Sequence, residues 1–143
     1  MKLWRIVLLP LLALVLTSGA AVPAAAQSAP PVKRKALVSL HKQGGFAGFD
    51  DRVTVYTNGC VRLSRRTGPT VDKCLTKTEF RKLRAHLKRL RLGRSERPPQ
   101  GADFLKYTLS YRGHKVVRYQ LPKTWRPVVS GMETFMTKYW APD

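Results

Sequence analysis

The side chains best suited to acid–base, metal or nucleophilic chemistry are few in this chain: three histidines, eight carboxylates and two cysteines. His41, His86 and His114 form no His-x-x-x-His pair, and none has a glutamate at the spacing that puts two imidazoles and a general base on one helix face. Among the carboxylates, Glu79 reads as a helix-capping residue and Asp72 falls inside the cysteine-bounded loop, while Glu96 and Asp143 fall in coil. Asp50-Asp51 is the one acidic pair that could approach a cation, but adjacent acids in one loop are more often simply solvated. A Gly-x-Ser-x-Gly nucleophile elbow and a phosphate-binding glycine loop are both missing. "GGFAG" (Gly44 to Gly48) has the wrong spacing for a dinucleotide fingerprint and leads into a strand instead of a helix. Without a constellation for general acid–base or covalent catalysis, the sequence reads as a protein that is not an enzyme and needs neither cofactor nor metal.

The cysteines depend on compartment, which the N-terminus addresses. Lys2 and Arg5 precede an apolar run, Ile6 to Leu16, and Ala24-Ala25-Ala26 offers a small-residue cleavage pattern. This is the layout of a secretory signal peptide over residues 1–26, cleaved after Ala26. The run is short for a transmembrane span, and no later stretch approaches the required ~20 apolar residues. The expected product is secreted, without membrane insertion after cleavage and without a cysteine at its new N-terminus to carry a lipid. In that oxidising setting Cys60 and Cys74 are expected to form a disulfide.

After cleavage, residues 27–35 ("QSAPPVKRK") form a polar, proline-bearing lead-in without periodicity. Residues 36–140 fit one domain with one modest core. Of the 27 lysines and arginines, two, Lys2 and Arg5, leave with the leader, so 25 remain against 8 acidic residues, a net charge of +17. Such a balance favours an anionic cell-envelope polymer or an acidic partner protein, and export makes nucleic acid the weaker choice.

Periodicity places the elements. "ALVSLHK" (Ala36 to Lys42) reads as a first strand. "RVTVYT" and "CVRLS" flank Asn58-Gly59 and form a hairpin. A three-residue loop, Thr57 to Gly59, sets Val55 against Val61 and Val53 against Leu63, so that all four line one face; a two-residue loop would split them. "RRTGPTVDK" reads as turn. A helix follows, started by a Thr76/Glu79 capping box with Leu75 and Phe80 at the staple positions. Its apolar stripe is Phe80, Leu83, Leu87 and Leu90, and Gly93 is expected to end it. Most of its other side is cationic, with Lys77, Arg81, Arg84 and Lys88 the residues for an anionic partner. "FLKYTLSY" and "KVVRYQL" form a second hairpin, for which apolar matching again prefers three loop residues, Arg112 to His114, with Leu109 opposite Val117 and Tyr107 opposite Tyr119. Thr124 is expected to cap a last helix that tolerates Pro127 in its first turn and turns Val128, Val129, Met132, Phe135, Met136 and Tyr139 inward. The expectation is an α+β domain in the order β-β-β-α-β-β-α, a five-stranded antiparallel sheet with both helices packed on it.

Three pieces, in order, give the chain a resemblance to the emfourin family, protein inhibitors of thermolysin-like (M4) zinc metallopeptidases. They are the first strand running into "GGFAG", the strand "GADFLKYTLSY" (Gly101 to Tyr111), and the closing "WRPVVSGMETFM" (Trp125 to Met136). Together they span nearly the whole mature domain. The resemblance implies inhibition by occlusion, a loop on a rigid sheet entering the peptidase cleft without being cut. It makes Gly44, Gly45, Phe46, Ala47, Gly48 and Phe49 the inhibitory loop. Thermolysin-like enzymes favour a bulky apolar residue just after the scissile bond, so Phe46 or Phe49 would be the anchor, with the glycines letting the backbone come close. From the residues alone, burial under the sheet is the more common fate of either ring. The signal peptide, Cys60/Cys74 and the positive charge depart from typical members and suit an exported variant.

Overall fold

The computed structural model describes residues 34–101 and 103–140; the leader, its cleavage point and the lead-in before Arg34 lie outside the described residues. The chain forms strands β1 (Ala36–Gly44), β2 (Phe49–Tyr56), β3 (Cys60–Ser64) and β4 (Val71–Cys74), helix α1 (Lys77–Arg89), strands β5 (Leu105–Tyr111) and β6 (His114–Arg118), and helix α2 (Arg126–Tyr139). The strands make one antiparallel sheet in the order β4-β3-β2-β1-β5-β6. The α+β class and the helices on a sheet are as expected, but the sheet has six strands where the sequence suggested five.

The first hairpin register holds: Val53 pairs with Leu63 and Val55 with Val61, all four are buried, and Gly59 takes the left-handed conformation at φ 83°. Val38 and Leu40 on β1, and Tyr107 and Leu109 on β5, continue that inner face. Leu83 and Leu87 from α1 and Val128, Val129, Met132, Phe135 and Met136 from α2 close over it. One face of the sheet is thus covered by both helices. The alternate residues, among them Ser39, His41, Arg52, Thr54, Thr108, Ser110 and Lys115, line the opposite, open face, as period-two patterning of a half-covered sheet requires.

The additional strand is β4. Val71-Asp72-Lys73-Cys74 shows no apolar alternation because it is an edge strand, and only Val71 packs against the core. It is held instead by backbone pairing, by an Arg62–Asp72 ion pair at 3.0 Å, and by the Cys60–Cys74 disulfide, which joins residues directly opposite in the β3–β4 register. With 14 residues of separation, the crosslink restricts the unfolded chain by about 3 kcal/mol. Urea unfolding of a Cys60→Ser/Cys74→Ser protein is expected to show that loss, and an unchanged midpoint would contradict it.

Three further expectations are corrected. The second hairpin has a two-residue loop, Arg112-Gly113, with Tyr111 opposite His114 and Leu109 opposite Val116. Both loop residues have positive φ, 52° and 80°, the geometry of the tight turn that matches strand twist. Tyr107 therefore faces Arg118 instead of Tyr119, and Val117 falls on the other face. The Val117 backbone meets Ser95 and Glu96, which run along the edge of β6 (Glu96 N–H to Val117 O, 2.9 Å; Val117 N–H to Ser95 Oγ, 3.1 Å). The Glu96 carboxylate is likewise structural: it accepts from Arg118 and from the Tyr119 and Gln120 N–H groups. Those bonds, led by the one from Tyr119, hold its carboxyl below the usual range.

The α1 helix ends at Arg89, short of Gly93, and Thr124 does not cap α2. Both changes have one cause. The Arg91 carbonyl accepts hydrogen bonds from Trp125 Nε1 (3.1 Å) and Thr124 Oγ1 (3.3 Å), so the chain leaves the helix to run extended with Leu90 and Leu92 against the core. Trp125, fully buried, becomes the N-cap of α2 without a side-chain cap, and Pro127 lies in the first turn as expected.

The α1 start is as the sequence implies. Thr76 and Glu79 exchange capping-box bonds (Glu79 N–H to Thr76 Oγ1, 3.2 Å; Thr76 N–H to Glu79 Oε2, 2.8 Å). Glu79 also accepts from Lys138 Nζ and Tyr139 OH on α2, both at 2.7 Å. Burial alone would raise its carboxyl, but these bonds from Lys138, Tyr139 and Thr76 outweigh burial and lower it to about 2. A carboxyl lowered on folding contributes stability above its unfolded pKa and loses it as pH falls through the folded value. Glu79 should therefore steepen acid unfolding between about pH 4.5 and 2. Glu79→Gln is expected to be less stable at neutral pH and to flatten that part of the curve; an unchanged acid limb would refute the link.

Candidate functional site

The β1–β2 hairpin carries the stretch singled out by sequence, and its ends are strand. Gly44 closes β1 opposite Phe49, the first residue of β2, so only Gly45, Phe46, Ala47 and Gly48 form the turn. The Gly48 N–H bonds back to the Gly45 carbonyl at 2.9 Å, which makes Phe46 and Ala47 the two central residues of a β-turn. Gly45 has φ 72°, and a Cβ there would come within 2.9 Å of Leu105 Cδ2. No other residue type meets both conditions without strain. The Gly45 N–H donates to the Phe104 carbonyl at 3.2 Å, fastening the turn to the start of β5.

Neither phenylalanine is buried beneath the sheet, contrary to the more common fate. Phe46 is 99% exposed at the tip. Phe49 is 38% exposed, and the Lys42 ammonium sits 4.4 Å from its ring centroid. Lys42 is fixed in turn by Glu133 of α2 at 2.8 Å, so the Phe49 ring is held in place. A third ring was not legible as part of the site: Phe104, 44% exposed, directly precedes β5 and supplies the carbonyl that anchors Gly45. The only available signal was its position at the head of "FLKYTLSY" beside a glycine-bearing loop. Among the described residues these three are the exposed large hydrophobic side chains, and they gather at one end of the sheet.

The acids beside the hairpin are engaged. Asp50 pairs with His41 at 2.5 Å and with Arg52 at 3.6 Å on the open face, and the His41 hydrogen bond is the main cause that lowers its carboxyl. Asp51 points to the other face, 4.0 Å from Arg65. Successive strand residues face opposite sides, so this pair cannot share a cation. Among the described residues no group of three or more His, Cys, Asp or Glu side chains could hold a metal, and no helix is long and apolar enough to cross a membrane.

The sequence-assigned cations, Lys77, Arg81, Arg84 and Lys88, are all exposed on α1. They flank a shallow basin floored by Phe80 and Ala85. The other side of the helix, with Lys82, Leu83 and His86, lines a groove against α2. His86 is half-buried there, in the boundary packing its sequence position implied. The fold and site thus define a two-layer α+β protein with an aromatic-tipped hairpin. Comparison of the chain with known protein families, curated proteins and solved structures finds no match.

Proposed function

We propose that this protein is an exported inhibitor of thermolysin-like (M4) zinc metallopeptidases that acts by occluding the active-site cleft with the β1–β2 turn. The observation that carries the reading is Phe46: a ring wholly in solvent at the tip of a turn whose backbone is locked at both Gly45 and Gly48. An exposed apolar ring on a rigid support is what a peptidase pocket for bulky apolar side chains would accept, with little ordering cost. Phe49 and Phe104 would widen the contact around it.

The same geometry explains why the turn would resist cleavage. A peptide chain lies extended in a peptidase cleft, and a zinc enzyme must polarise the carbonyl just before the bulky residue. Here that carbonyl belongs to Gly45. It is turned into the loop to accept the Gly48 N–H, in a residue at φ 72° that an extended strand excludes. Phe46 could therefore fill the pocket while its preceding peptide bond stays out of reach.

The test is a peptide-cleavage assay with several thermolysin-like enzymes and purified protein carrying its disulfide. Inhibition without accumulation of a cut chain is expected. No inhibition by micromolar protein across the set would end the proposal.

A further inference from the structure

The outward side of α1 has a property that the hairpin does not use. Every described carboxylate except Asp103 is held in an ion pair elsewhere in the molecule. Glu79, the acid on α1, faces α2 and is bound to Lys138. Among the described residues, Lys77, Arg81, Arg84 and Lys88 have no ion-pair partner. Their spacing of four, three and four residues sets them along one side of the helix. At about 1.5 Å per residue, the row is about 16 Å long with a positive charge every 5 Å or so.

Topology puts this row at the end of the molecule away from the aromatic tip. Phe80, near the start of α1, lies over Gly59 in the β2–β3 turn. The chain just beyond α1, at Leu90 and Leu92, borders Tyr111, Arg112 and His114 at the β5–β6 turn. Both turns are at the end of the sheet opposite Phe46, one β2 length away, which for a strand of this size is about 25 Å. A partner gripping the tip would leave the row free.

We propose that the outward face of α1 binds a linear phosphate polymer of the poly(glycerol phosphate) type found in cell envelopes. A straight, evenly spaced row of unpaired cations complements a chain whose charge repeats along its length, and the two arginine forks suit phosphate oxygens better than a point charge does. The basin floor does not offer a base-stacking platform. The Phe80 ring packs against Gly59, and the Arg84 guanidinium lies 5.8 Å from its centroid. Recognition is therefore of backbone charge, without the aromatic stacking that single-stranded nucleic acid binders use. This inference stands whether or not the hairpin inhibits a peptidase.

The experiment is a titration of the purified disulfide-bonded protein with poly(glycerol phosphate) at 50 and 200 mM salt. With about four phosphates neutralised and a log–log slope of about −0.7 for each, affinity should fall about 50-fold between those conditions. In Arg81→Gln/Arg84→Gln/Lys88→Gln the salt effect should shrink to about threefold, and binding at low salt should weaken at least about tenfold. Arg94→Gln/Arg97→Gln/Lys123→Gln, which removes equal charge elsewhere, should stay within about twofold of the unaltered protein. Circular dichroism checks that α1 persists, and single Arg84→Gln, with a slope about 0.7 shallower, serves if the triple variant misfolds. Absence of binding, equal losses in the two triple variants, or tighter binding to polyglutamate or to oligothymidylate of matched charge would overturn the proposal.

Discussion

Phe46→Ala is expected to weaken inhibition of a thermolysin-like peptidase by at least about 30-fold while leaving the unfolding midpoint unchanged. The size follows from the ~2 kcal/mol or more that separates a buried aromatic anchor from its neighbours in an interface. The unchanged stability follows from exposure: a ring 99% in solvent contributes almost no buried area to the fold. Phe49→Ala makes the useful contrast. Its ring lies under the Lys42 ammonium, itself tied to Glu133, so its removal should lower stability as well as inhibition. A Phe46→Ala protein that inhibits as well as the original would remove the anchor from the proposed mechanism, whatever the behaviour of Phe49.

Trp125→Ala is expected to be the most damaging core substitution, at about 3–5 kcal/mol, measured by urea unfolding. The indole is fully buried, and its Nε1 holds the Arg91 carbonyl where the chain leaves α1. Removing it opens a cavity and also frees the segment carrying Leu90 and Leu92. That loss is a large share of a typical net stability of about 5–15 kcal/mol. Trp125→Phe, which keeps much of the volume but not the donor, should cost only about 1–2 kcal/mol, because Thr124 still reaches Arg91. A loss below about 1 kcal/mol for the alanine variant would show that the Arg91 segment is not anchored through this side chain.

Residue patterns within a few positions account for part of the fold. The Val53/Val55 and Val61/Leu63 register needs only period-two alternation and a glycine able to turn left-handed. The α1 start needs only Thr76 and Glu79 three positions apart, and the inward face of α2 follows a 3.6-residue period. Matching apolar residues across a turn fails at β5–β6, because the two-residue turn shifts the register by one and the Val117 backbone pairs at the sheet edge with Ser95 and Glu96, a partner that the residue pattern does not reveal. There the twist preference of a two-residue turn prevails over apolar pairing.

The sequence by itself determined the class of fold, the two helices, the first register, the pairing of Cys60 with Cys74 and the cationic side of α1, since periodicity, turn and cap residues, element order and a count of two cysteines are enough for these. Tertiary structure alone decided the rest. The strand β4 exists through a partner strand and a crosslink, and α1 stops where Trp125, 34 residues on, claims the Arg91 carbonyl. Whether Phe46, Phe49 and Phe104 would be core or surface could not be settled locally, because burial depends on what the far parts of the chain bring to the same place. The helices cover one face of the sheet and leave its β1–β2 end bare, and that coverage is what puts the three rings together in solvent.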